Sequence, residues 1–151
     1  MTIIVDANLL LLWIVGLASP DYIHRHKHLQ AYTNEDFLIL VNILSRARRI
    51  ILTPNTLTET SNLAGYIAEP ARTEIFYILF ALIKAAETEE RFIESEAAAA
   101  RPEFVRLGLT DSALLQLAGD SHTLLTADVN LYLAALHRGL NAENFNHYRN
   151  L

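Results

Sequence analysis

With 151 residues, 52% hydrophobic and 19% charged, the chain has the size of one domain and enough apolar surface to offset the entropy of ordering, which excludes disordered and fibrous classes. It contains no Cys, so disulfides, thiolate metal sites and thiol nucleophiles are excluded, in keeping with a reducing cytoplasm. A net charge of −5 argues against a globally basic grip on nucleic acid and confines phosphate contact to local patches.

Ile3 to Val5 is a short β-branched run ending at Asp6, and the apolar Leu9 to Ala18 that follows reads as a buried helix, far short of the roughly 20 residues that span a bilayer. Asp6 stands where a signal peptide would carry positive charge. Asp21 to Ala31 is polar and unpatterned. Thr33 to Arg49 reads as a helix with Thr33 as cap, Glu35 and Asp36 in its first turn and three Arg at its end, charges that suit the dipole. Ile50 to Thr53 is a second strand-like run; Pro54 then opens a helix expected over Thr56 to Ile67. Pro70 restarts the pattern, and Ile75 to Ile83 is apolar on every face.

Glu87 to Ala100 is helical by propensity, although Phe92 and Ile93 also suit a short edge strand before Ser95 caps a final turn; residues 90–95 stay open between strand and helix. Thr110 is placed to cap a helix over Asp111 to Ala118, Gly119 and Asp120 suit a turn, and His122 to Thr126 reads as a strand. Asp128 to Arg138 returns to helix, Gly139 ends it, and Asn141 to Phe145 is expected as a last short strand. Alternating strands and helices predict one α/β domain over residues 1–151, a three-layer α/β/α sandwich on a mostly parallel sheet of four or five strands.

In such sheets ligands bind beyond the carboxyl ends of the strands, which singles out four acids. Asp6 follows the first strand, Glu59 lies about one and a half turns into the helix after the second, Asp111 begins a helix, and Asp128 follows the strand ending at Thr126. Gathered at one edge they would repel one another unless a cation sat among them, and hard oxygen donors favour Mg²⁺ or Mn²⁺ over Zn²⁺. Taken singly, Asp111 and Asp128 also read as first-turn acids and Glu59 as an exposed helical acid. Asp6 resists that reading, because an acid abutting an apolar strand is partly buried and needs a partner. His24, His26 and His28 read as a solvated loop and are not assigned. Two basic clusters, one of Arg25, Lys27, Arg46, Arg48 and Arg49, the other of Arg101, Arg106, Arg138 and Arg149, read first as solvated faces. With five Gly, no phosphate-binding loop and no nucleophile elbow, nucleoside-triphosphate and acyl-transfer chemistry are disfavoured.

Four motifs in order, Ile-Val-Asp-Ala-Asn (Ile4 to Asn8), Thr-Pro-Asn-Thr-Leu-Thr-Glu (Thr53 to Glu59), Gly-Leu-Thr-Asp-Ser-Ala-Leu-Leu (Gly108 to Leu115) and Leu-Leu-Thr-Ala-Asp (Leu124 to Asp128), resemble those of the PIN-domain nucleases over nearly the whole chain. The resemblance implies an acidic pocket of Asp6, Glu59, Asp111 and Asp128 that holds Mg²⁺ or Mn²⁺, with Asn8 and Thr126 as small polar groups beside it. It also implies a cytoplasmic endoribonuclease leaving 5′-phosphate and 3′-hydroxyl ends. Many small bacterial members are VapC-like toxins held inactive by a small antitoxin. Asn130 departs from the pattern, standing where many members carry a further acid, which weakens the case for a second metal. A PIN-like module that binds RNA or a partner without cutting is the alternative. A phosphoacceptor domain is disfavoured, since Leu140 to Leu151 holds no Lys. The two all-apolar helices further predict surplus apolar surface and a two-fold dimer.

Overall fold

The computed structural model describes residues 1–119 and 122–150, so the expected turn at Gly119 and Asp120 lies partly outside the described residues. Among these residues five strands form one all-parallel sheet: β1 (Thr2–Val5), β2 (Arg49–Leu52), β3 (Thr88–Glu90), β4 (Thr123–Thr126) and β5 (Ala142–Asn144), in the order β3-β2-β1-β4-β5. Register is continuous across the centre, with Ile4 opposite Ile51 on one side and Leu124 on the other.

Among the described residues, eight α-helices connect the strands: α1 (Ala7–Ala18), α2 (Asn34–Ser45), α3 (Pro54–Ala64), α4 (Ala71–Ile83), α5 (Ser95–Ala99), α6 (Phe104–Leu107), α7 (Leu109–Leu117) and α8 (Val129–His137). Strand residues alternate between two cores, as a pleat of period two requires. Ile3, Val5, Ile50, Leu52 and Leu125 join the apolar faces of α1, α2 and α4, while Ile4, Ile51 and Leu124 join those of α7 and α8. This is the three-layer α/β/α sandwich expected.

The all-apolar α1 is explained by its position, wedged between the sheet and α2, α3 and α4. Leu9 to Leu12, Ile14 and Val15 are inaccessible to solvent, each worth roughly 2 kcal/mol of transfer free energy. Gly16 permits the close approach of α2, since a Cβ there would sit 2.2 Å from the Phe37 ring. The expectation of surplus apolar surface therefore fails for α1 but holds for α4, which leaves Tyr77 and Phe80 largely exposed.

Several boundaries differ from expectation for local reasons. α2 opens with a full capping box between Thr33 and Asp36, but it stops at Ser45, so Arg46 caps its end and Arg49 starts β2. Of the alternatives open around residues 90–95, neither regular element forms at Phe92 and Ile93; the edge strand is the polar Thr-Glu-Glu of β3, held by pairing with β2. Thr110 is not a cap, because α7 begins one residue earlier, behind Gly108 at φ 86°, a backbone shape that favours glycine.

The His segment is ordered by two 3₁₀ turns, Pro20–Tyr22 and Lys27–Leu29, and His26 is fully buried rather than solvated. Its Nδ1 accepts from the His28 N–H, and burial lowers its pKa, keeping it neutral. Arg149 likewise is no solvated cation: its Nη2 donates to Asp36 at 3.0 Å, Nη1 donates to Asn146, and the guanidinium covers the Tyr32 ring. That contact ties the C-terminal segment to the start of α2. No helix among the described residues is long and apolar enough to cross a membrane.

Candidate functional site

In a parallel sheet with strand order 3-2-1-4-5, the chain leaves the carboxyl ends of β1 and β4 in opposite directions, opening a crevice between them. Asp6 ends β1 at that crevice and caps α1, its Oδ1 accepting the Ala7 N–H at 2.6 Å. Asp128, two residues beyond β4, caps α8 by accepting from the N–H groups of Asn130 and Leu131 at 2.8 and 3.2 Å. Thr126 couples the two. Its hydroxyl donates to Asp6 Oδ2 at 2.6 Å and accepts the Asp128 N–H at 3.0 Å, so one buried side chain sets the positions of both acids.

The other two acids arrive on helices. Asp111 lies in the first turn of α7, half-buried, and Glu59 stands exposed on α3. Their proximity to the first pair is read in the electrostatics. Burial pushes the Asp111 carboxyl up to about 7, and the charges of Asp6, Asp128 and Glu59 add to the shift. Burial likewise raises Asp6 to about 6 against the hydrogen bonds from Thr126 and Ala7, with Asp128 and Glu59 contributing further. All four acids singled out in the sequence thus share one electrostatic neighbourhood, opposed only in part by the N-terminal dipoles of α1, α7 and α8.

The arrangement is loose. Among the described residues, no group of three or more His, Asp or Glu is drawn together in a form that could hold a metal ion. The donor set nonetheless suits a hard divalent cation, being all carboxylate with a buried hydroxyl behind it, and mutual repulsion of this kind is what a cation relieves. Asn8 is exposed in the first turn of α1, and Asn130 in that of α8, where its backbone N–H serves Asp128.

A groove of about 470 Å³ has Glu59 in its lining. Asn55, Thr58, Glu59 and Asn62 form one wall, and Phe92 and Ile93 the other. The sequence reading passed over this groove, although the signal was present: positions 55, 58, 59 and 62 follow the i, i+3, i+4, i+7 pattern of one helix face, and all four are polar. The second wall was hidden because it is irregular backbone after an edge strand.

Of the second basic cluster, Arg101 and Arg138 pair with Glu103; of the first, Arg49 pairs with Glu89, while Arg25, Lys27, Arg46 and Arg48 are exposed, as a solvated face requires. The chain matches no protein-family model, and no curated protein matches it.

Proposed function

We propose that the protein is a divalent-metal-dependent endoribonuclease of the PIN-domain type, with Asp6, Glu59, Asp111 and Asp128 as the ligands of Mg²⁺ or Mn²⁺. The observation that carries this reading is the Asp6–Thr126–Asp128 bridge across the crevice between β1 and β4, with Asp111 close enough to be perturbed by both acids. The bound ion would supply a water of lowered pKa and would stabilise charge on the leaving oxygen. The protein's part is positional. Thr126 fixes one carboxylate oxygen of Asp6 by donating to it, and the α8 N–H groups fix Asp128. Asp111 and Glu59 come from separate helices, α7 and α3. Hydrolysis breaks one P–O bond of the RNA backbone, adding water across it.

Purified protein with Mn²⁺ is expected to cleave RNA, and EDTA or Asp6→Asn to abolish cleavage. Cleavage that persists in EDTA overturns the reading.

The same reading places the protein in the cytoplasm, where it would meet RNA and a small antitoxin, and makes it a two-fold dimer. The exposed Tyr77 and Phe80 of α4 are the apolar surface on which a second copy would dock. Light scattering at micromolar concentration is expected to give twice the 17.0 kDa chain mass, and a mass of one chain sinks the dimer.

A further inference from the structure

We infer that the groove between α3 and the segment after β3 is a subsite for one unpaired nucleobase of single-stranded RNA, with Phe92 as its stacking surface; this rests on the ribonuclease reading for its substrate. Three observations carry the inference. Phe92 is 76% exposed and lines the groove, so its ring has surface free to stack on a ligand. Asn55 and Asn62 line the same groove, about two turns apart on α3, and each amide offers both a donor and an acceptor to a base edge. Finally, the groove is lined by Glu59, one of the four acids, and by Thr110, the chain neighbour of Asp111, so a base seated there would lie beside two of the acids.

Charge decides what the groove can hold. No Lys or Arg lines it among the described residues, and Glu59 is its sole charged group, so a phosphate or other anion is poorly received. A neutral heteroaromatic ring is well received. It stacks on Phe92 and Ile93, and it exchanges hydrogen bonds with the amides and the Thr58 hydroxyl. Aromatic stacking combined with amide readout of an exposed edge is the usual way proteins hold splayed-out RNA bases, and paired bases in a duplex cannot enter such a site. The volume of about 470 Å³ lies within the range of pockets that enclose small organic ligands.

The test uses a fluorescein-labelled single-stranded RNA and the full chain. Phe92→Ala is expected to raise KM for this RNA about tenfold with kcat little changed, while Phe92→Tyr keeps the parent value. Phe92→Trp is expected to show tryptophan quenching when the RNA binds, beyond that of the parent, whose Trp13 packs against the core on α1. Asn55→Ala and Asn62→Ala are expected to flatten the preference among the four homopolymers. Cleavage by the parent with KM unchanged in Phe92→Ala overturns the subsite and leaves the nuclease standing. Quenching of Phe92→Trp by RNA in a protein that does not cleave upholds the groove and overturns the nuclease. Neither cleavage nor quenching overturns both.

Discussion

Replacing Asp111 with Asn should stabilise the metal-free protein at alkaline pH, the opposite of what most substitutions in a folded chain do. Burial, followed by the charges of Asp6, Asp128 and Glu59, moves the Asp111 carboxyl from 3.8 to about 7, and burial moves Asp6 from 3.8 to about 6. In the unfolded chain both ionise near their ordinary values. Between about pH 4 and pH 7 the folded protein therefore holds protons that the unfolded chain has released, and stability falls as pH rises through that window. At about 1.4 kcal/mol per unit, the Asp111 shift corresponds to about 4 kcal/mol. The side chain is partly exposed and its repulsion is shared with Asp6, so about 2 kcal/mol is the fairer figure. For a chain of this length that is roughly 4–8 °C in Tm.

Thermal melts in EDTA at pH 5 and pH 8 measure it. The parent is expected to lose the greater part of that between the two, since the window opens near pH 4, and Asp111→Asn clearly less. Adding Mn²⁺ at pH 8 is expected to stabilise the parent and not the variant. A parent equally stable at both pH values would refute the convergence of the acids, as would an Asn variant less stable than the parent at pH 8.

Thr126→Val removes the hydroxyl donor that holds Asp6 down, so RNA cleavage should fall about 10–100-fold and the acid limb of the pH–rate profile should move upward, with Thr126→Ser restoring both; an unmoved limb would deny Thr126 its positioning role. Arg149→Ala strips Asp36 of its buried partner, which should cost about 3 kcal/mol in urea unfolding; a loss below about 0.5 kcal/mol would mean the pair behaves like a surface contact. Gly16→Ala drives a methyl into the Phe37 ring and should cost about 1–3 kcal/mol, read as a lower urea midpoint with an unchanged slope.

The strands and helices with strong hydrophobic patterning were legible from residues alone. Ile3 to Val5 and Ile50 to Leu52 are apolar because the sheet is buried on both faces, and α1 is apolar all round because helices cover it on its outer side as well. Local cues of capping worked at Thr33, where the side chain meets its N3 partner, and failed at Thr110, where the backbone turn at Gly108 sets the start of α7 instead. β3 was illegible because an edge strand of Thr-Glu-Glu carries no apolar alternation and is defined by its pairing with β2. Asp6 and Asp128 stood out by their places after strands and Asp111 by its place at a helix start, whereas Glu59, well inside α3, stood out through the Thr53 to Glu59 motif. That Thr126 bridges two of these acids follows only from the parallel register of β1 and β4, and the burial of His26 and the pairing of Arg149 with Asp36 only from long-range packing.

Both margins of the sheet are three-residue strands with charged side chains, Glu89 and Glu90 in β3 and Glu143 in β5, and Glu89 is further held by Arg49 and Arg91. An approaching strand would find too few free backbone groups and too many fixed charges to extend the ladder. Any self-association, such as the proposed dimer, would thereby be steered to helix faces, where contact is made by side chains that a substitution can remove one at a time. Tyr77 and Phe80 lie on such a face, on a helix that contributes none of the four acids, so assembly and chemistry should be separable by mutation: a chain altered there would keep its crevice while losing its partner.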